Sequence, residues 1–254
     1  SEKKVLIENF LSLSFLQVTD CILPLMTLPY LVRILGPEKF GLVAFAQAFN
    51  QYFIILTDYG FNISATREIS INREDKEKIA KVFSSVLLIK LCFLAFSFLV
   101  LIGLVFSVPK VKSDWLVYFF TFGMVIGNAL LPIWFFRGME RMKYITFLNI
   151  AAKLIFTILI FVFVREIQDY IYVPLINSLG FLIAGILGLW IVHKSFKVRF
   201  SYPNFESIKY QLKEGWYIFI SGVSFSLYTT SNTLILGLLT NNTIVGYYSA
   251  GEKL

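Results

Sequence analysis

Histidine occurs once in this 254-residue sequence and cysteine twice. Cys21 and Cys92 each stand alone inside an apolar run, so they supply neither a disulfide framework nor a metal-ligand spacing. His193 lies where an apolar run ends, among Lys194, Lys197 and Arg199, and reads as a solvated loop residue. A serine or cysteine nucleophile therefore has no histidine base to draw on. The glycine-rich phosphate loops GxxxxGK[ST] and GxGxxG are missing, as are HExxH, CxxC and GxSxG. These gaps point away from an ATPase or a membrane-embedded transferase of a familiar kind. The chain is read as non-enzymatic, with no cofactor and no metal site. Charge is scarce too: 15% of residues are Asp, Glu, Lys or Arg, against about 25% in soluble domains.

Apolar residues fill the space that charge vacates. They make up 57% of the chain, including 27 Phe and 13 Tyr, and the mean hydropathy is +0.73. The expected fold class is an all-α integral membrane protein, a polytopic helix bundle. Its net charge of +7 is then no sign of nucleic acid, because membrane proteins gather Lys and Arg on their cytoplasmic side. A spanning helix needs roughly 20 apolar residues. Seven segments qualify: Phe10–Val32, Phe40–Tyr59, Val82–Ser107, Trp115–Phe136, Tyr144–Val164, Ile171–Val192 and Trp216–Leu239. An eighth starts near Val245. Trp115, Tyr144, Trp190 and Trp216 mark span ends, where amphipathic rings prefer to sit. The first run is long enough to span and no small-residue cleavage site follows it, so no cleavable signal is expected.

Loop charge sets the orientation. Lys3 and Lys4 of the tail fall on one side with the cations of loops 60–81, 137–143 and 193–215, fifteen in all. The other side holds only Arg33, Lys39, Lys110, Lys112 and Arg165. That threefold excess places the N-terminus in the cytoplasm. Loop 60–81 pairs Glu74 with Lys78 and Glu77 with Lys81 at i, i+4, and is expected to extend the third span as a helix. The long connection 193–215 divides the chain into a six-helix lobe over 1–200, a linker over 201–214, and the start of a second lobe over 215–254. About twelve helices are expected in the whole protein.

Residues 28–47, LPYLVRILGPEKFGLVAFAQ, organise the rest. A tight turn at Gly36-Pro37 joins two membrane-length helices, and Gly41 opens the second. A weaker copy lies about 205 residues on, LILGLLTNNTIVGYYSAGEKL. Placing Gly41 on Gly246 also places Leu31 on Leu236 and Val18 on Val223. Transporters are often built from two such halves.

Three charges lie well inside spans: Asp20, Lys90 and Lys153. Each costs roughly 2.5–3.5 kcal/mol on insertion scales. They must face a wet cavity or pair. An Asp20–Lys153 ion pair that only pins helices together is one alternative, and snorkelling of Lys90 to the near interface is another. Pro24 and Pro29 deprive the carbonyls of Asp20 and Leu25 of their helical donors, so the first helix is expected to bend there. Gly123 and Gly127, and Gly180, Ala184 and Gly188, are spaced for close helix packing.

The stretches LPYLVRILGPEKFGLVAFAQAF, TDYGFNISATREIS, LLPIWFFRGMERMKYIT and VGYYSAGEKL resemble the Wzx-type polysaccharide flippases. These are the polysaccharide branch of the multidrug/oligosaccharidyl-lipid/polysaccharide exporter superfamily. The resemblance implies two six-helix lobes about a central cationic cavity. It implies a flippase of the bacterial inner membrane that moves undecaprenyl-diphosphate-linked O-antigen or capsule repeat units outward by alternating access. Lipid-linked oligosaccharide, membrane lipids and the polysaccharide polymerase machinery are the implied partners, and an H+ or other cation gradient the energy source. Within that frame Lys153, Lys90 and Arg33 are the substrate-cavity candidates, Asp20 the coupling candidate, and Pro24 and Pro29 the helix-bend candidates. A drug or small-cation antiporter of the same superfamily is the alternative, though buried Lys outnumbers buried Asp. A membrane scaffold that binds assembly partners is a third reading.

Overall fold

The computed structural model describes residues 2–252, with side chains from Leu6 onward. Lys3, Lys4, Lys253 and Leu254, used above for charge and for the repeat, lie outside the residues whose side chains are described. Helix α1 runs Glu2–Asp58 and leaves helical geometry only at Gly36, with φ 68° and ψ 169°. Only a residue without a Cβ takes that backbone cheaply. Pro37 then opens the second arm, a position where its missing N–H costs nothing. The expected spans Phe10–Val32 and Phe40–Tyr59 are thus the two arms of α1. Pro24 and Pro29 keep helical dihedrals, so the break falls at Gly36, about two to three turns beyond them.

Tyr59 and Gly60 take positive φ and turn the chain into α2, Phe61–Ile71. Helix α3 follows at Lys76–Ser107. Its cap is Asp75, whose carboxylate accepts the Glu77 and Lys78 amides at 3.1 Å. The expected extension of the third span therefore begins at Lys76, while 61–71 form a helix of their own. Then come α4, Pro109–Ser113, α5, Trp115–Leu130, and α6, Ile133–Gly138. The expected span Trp115–Phe136 is divided before Pro132, which cannot donate to the α5 ladder. Helix α7 is Met142–Phe163, a 3-10 turn covers Ile167–Ile171, and α8 is Tyr172–Phe196. The last three are α9, Phe205–Thr229, α10, Ser231–Leu239, and α11, Asn242–Glu252.

Among the described residues five helical stretches are long and apolar enough to cross a membrane, the first of them, Leu6–Ile71, containing the folded pair. The seventh expected span is not one of these. It breaks at Thr230, and its polar first half reaches back to Phe205, so 205–214 of the expected linker is helical.

The first arm of α1 lies alongside α7 in parallel register. The Thr146 hydroxyl donates to the Ser12 carbonyl at 3.0 Å, Lys153 meets Asp20, and the Tyr30 hydroxyl donates to the Val164 carbonyl at 2.7 Å. Helices α5 and α8 approach through their small residues: Gly123 faces Ser178, and Gly127 faces the backbone of Phe181 and Leu182. Glycines set for close packing in the sequence are used that way.

Two apolar cores result. One, around Leu35, Phe45, Phe122 and Ile160, lies toward the Gly36 turn. The other, around Phe61, Val86, Trp134 and Phe136, lies toward the opposite, basic end. Asp20, Asp58, Asn128, Lys153 and Asn177 fall between the two along their helices, and Lys90 lies at the inner edge of the second. They form a polar belt through an otherwise apolar bundle.

Candidate functional site: a paired polar belt and the seam at the turn end

The belt holds two ion pairs. Lys153 Nζ on α7 donates to Asp20 Oδ1 on α1 at 2.5 Å, and the side chains keep 30% and 37% of their exposure. This pair is wet. Lys153 also lines a cavity of about 270 Å³ between both arms of α1 and helices α5, α7 and α8. Its other walls are mostly apolar, including Pro24, Leu28 and Phe156, with Thr27, Gln47, Thr157 and Asn177 as polar exceptions. The second pair is dry: Lys90 Nζ on α3 lies 3.6 Å from Asp58 Oδ1, and Lys90 is 2% exposed. Asp58 also accepts a hydrogen bond from Asn62 at 2.8 Å.

These positions sort the residues singled out in the sequence. Asp20 and Lys153 are together, as the ion-pair alternative has it. Lys90 does not snorkel; it is enclosed, and its partner Asp58 was seen in the sequence only as part of the Asp58-Tyr59-Gly60 stretch. No sequence signal matches them: Asp58 closes the second arm of α1, at the edge of its expected span, whereas Lys90 lies about four turns into α3. Arg33 is exposed one turn before Gly36, away from both pairs. Pro24 touches the cavity, whereas Pro29 is exposed on the same arm.

A second set of contacts closes the turn end. Gly41 on α1 sits against the Asn242 carbonyl and the Gly246 amide on α11, and Gly246 sits against the Pro37 carbonyl. Pro37 and Gly41 are the positions that a 205-residue shift sets on Asn242 and Gly246. The contact is therefore reciprocal, the mark of surfaces related by a two-fold axis. Beside it, Lys110 on α4 donates to the Gly237 carbonyl and, at 2.8 Å, to that of Thr240. These are free carbonyls at the C-terminus of α10, where a cation is favoured. Sequence reading missed Lys110 because nothing local marks it; its partners lie over 120 residues away.

Deeper along the same seam, a polar cavity of about 230 Å³ opens between the second arm of α1 and helices α9–α11. Gln47, Gln51, Thr229, Thr233, Ser249 and Glu252 line it. Its donors and acceptors are amides and hydroxyls with one carboxylate. Toward the basic end, α9 is held by stacking of Tyr59 on Phe219, centroids 4.9 Å apart, and by Gln211, which donates to Glu68 Oε2 at 2.5 Å.

The family model described as polysaccharide biosynthesis protein matches residues 6–254. The chain belongs to this polysaccharide biosynthesis family. Among its curated relatives, a protein of Escherichia coli (strain K12) named as an O-antigen transporter is 34% identical over 257 residues. That match covers 100% of this chain and 61% of the relative. A protein of Shigella dysenteriae with the same name is 30% identical over 249 residues, covering 97% of this chain and 62% of the relative. The chain thus spans about three fifths of the length of the curated relatives it matches. No solved structure matches it. For a member of the polysaccharide biosynthesis family, the all-helical fold and the membrane-length helices agree with the resemblance seen in the sequence.

Proposed function

We propose that the protein is a flippase that carries lipid-linked oligosaccharide repeat units, on an undecaprenyl diphosphate or similar carrier, across the bacterial inner membrane by alternating access. Its relatives' names support a transport role for O-antigen units. The observation that carries the reading is the polar cavity behind a closed turn end. Amides and hydroxyls at membrane depth need partners, from neighbouring helices, from water or from a polar cargo. The Gln47, Gln51, Thr229 and Thr233 set offers sugar hydroxyls the partners they lose on leaving water. In this reading the basic end, with the N-terminus, faces the cytoplasm. Residues up to α8 form one lobe and α9 begins the second. The Gly41–Gly246 crossing and the Lys110 clasp hold the outer side shut, and both must part for the cargo to leave.

The belt supplies the charge chemistry. With the Asp20–Lys153 pair closed, Lys153 has its charge satisfied. A proton on Asp20, or a phosphate arriving from the cavity, competes for that bond and frees the ammonium for the diphosphate. A cation gradient thereby couples to the first arm of α1. Lys90, sealed against Asp58, serves cargo only in a conformation that opens the dry pair, and Arg33 meets the diphosphate at the outer mouth. The polysaccharide polymerase machinery would receive the product. No chemical step on the cargo is required of any residue.

The test is made in a strain lacking its own flippase, with the full-length protein. Lipid-linked repeat units should become accessible to a periplasmic ligase, and Lys153→Ala should stop this while the protein persists. Export undiminished by Lys153→Ala sinks that residue's role. Efflux of cationic dyes without translocation of repeat units sinks the substrate.

A further inference from the structure

We infer that the basic end carries a docking site for the headgroup of an anionic phospholipid, in a groove of about 250 Å³ between the start of α3 and the end of α8. The groove has an apolar floor and a cationic rim. Phe135, Met139, Phe196 and Val198 make the floor. Phe196 is fixed there by ring contacts with Phe135, Phe136 and Tyr144, with centroids 5.1 to 6.1 Å apart. Arg73, Lys76, Lys197 and Arg199 make the rim. Of these, Arg73 is engaged with Glu140 at 2.6 Å. Among the described residues Lys76, Lys197 and Arg199 have no ion-pair partner within 4 Å and are exposed. Glu77 is the one carboxylate lining the groove, so the site is net cationic.

What covers this groove is indicated by the helix that leads to it. Leu179, Ile183, Ile186 and Trp190 are exposed on α8 at intervals of three or four, one continuous apolar stripe. Such a stripe on a spanning helix faces acyl chains. It ends at Trp190, whose ring has the Lys194 ammonium 4.5 Å from its centroid, an arrangement suited to the headgroup layer. About two turns after Trp190, Lys197 takes φ 55° and ends α8, turning the chain so that Lys197 and Arg199 stand over the floor. A lipid whose acyl chains lie along the α8 stripe thus has its phosphate level with these cations and its glycerol over Phe196 and Val198. A zwitterionic headgroup gains less, because its own ammonium is repelled by the rim. This site is distinct from the belt and the seam, and does not depend on the cargo.

The experiment uses the full-length protein in detergent, with native mass spectrometry to count bound lipids. Phosphatidylglycerol and phosphatidylcholine of matched chains are titrated separately, and inorganic phosphate is added as a competitor. Wild type should retain phosphatidylglycerol preferentially. Lys197→Glu with Arg199→Glu should weaken that retention by roughly a hundredfold or more, since it removes two surface cations and reverses their charge, with the thermal midpoint unmoved. Lys197→Gln with Arg199→Gln should weaken it less, and stands in if the reversed charges misfold. Equal retention of both lipids by wild type, or a preference unchanged in both double variants, overturns the inference. Displacement of the lipid by millimolar phosphate also overturns it, since the site then recognises a free anion.

Discussion

The dry Lys90–Asp58 pair makes an asymmetric prediction. Its two members are not equally buried: Lys90 is 2% exposed and Asp58 20%. At 3.6 Å and an effective dielectric near 20, the attraction is roughly 4–5 kcal/mol before desolvation is charged against it. Asp58→Asn removes the counter-charge and leaves an enclosed ammonium with no partner, which costs about 3–5 kcal/mol. Lys90→Met takes the charge out of the enclosed place and fills it with a chain of similar length. Asp58 then keeps the Asn62 hydrogen bond, 2.8 Å long, and its share of water, so the loss should be nearer 1–2 kcal/mol. The double variant should be close to Lys90→Met alone, which makes the cycle non-additive by the Asp58→Asn cost itself, about 3–5 kcal/mol. Unfolding in mixed micelles, followed by tryptophan fluorescence across a denaturing-detergent titration, reads all four proteins. Equal single losses that add to within about 0.5 kcal/mol in the double variant would refute the reasoning, since the two groups would then not share an environment.

Four further outcomes are expected. Gly41→Ala should lower the thermal midpoint through a loss of about 1–3 kcal/mol, because the added methyl meets the Asn242 carbonyl and the Gly246 amide; an unchanged midpoint would mean that α1 and α11 do not approach so closely. Gly246→Ala should cost about as much, as a reciprocal contact requires, whereas Gly103→Ala, with open space around it, should cost little. Lys110→Met should leave folding intact but expose the end of α10, read as faster amide exchange there. The Asp75 carboxyl, held below its ordinary value first by the Lys78 amide, makes the α3 cap fully effective above about pH 4. Its contribution is lost only as pH falls through the lowered value, so protection of the Glu77 and Lys78 amides should persist into more acidic solution than a free aspartate would allow.

Much of this architecture is legible in the sequence because apolar runs of spanning length leave few alternatives. The Gly36-Pro37 break, the 205-residue echo and the small-residue faces of α5 and α8 are local signals, and the structure uses each of them. The pairing of Asp20 with Lys153 was readable as one of several options, because both lie about midway along their spans. Depth says nothing of which spans are neighbours, so Lys90 stood without Asp58, although 32 residues separate them. The division at Leu131-Pro132 was visible as a proline, yet its apolar surroundings outweighed it. Thr230 carried no such mark, since a single threonine is tolerated in many helices. Lys110 was illegible for a plainer reason: its acceptors are main-chain carbonyls, which every residue possesses.

The two closures at the turn end differ in stroke. At Gly41 and Gly246 backbone meets backbone with no side chain between. Such a contact forfeits a quarter to a half of its dispersion energy over a gap of about 0.5–1 Å, so it is either made or lost. Lys110 reaches its carbonyls on a four-carbon tether that can straighten and keep hold while the helices draw apart. The glycine crossing therefore behaves as a catch and the lysine as a leash. If the seam parts as the proposed transport cycle requires, a separation that trips the first leaves the second engaged, and opening proceeds in two stages rather than one.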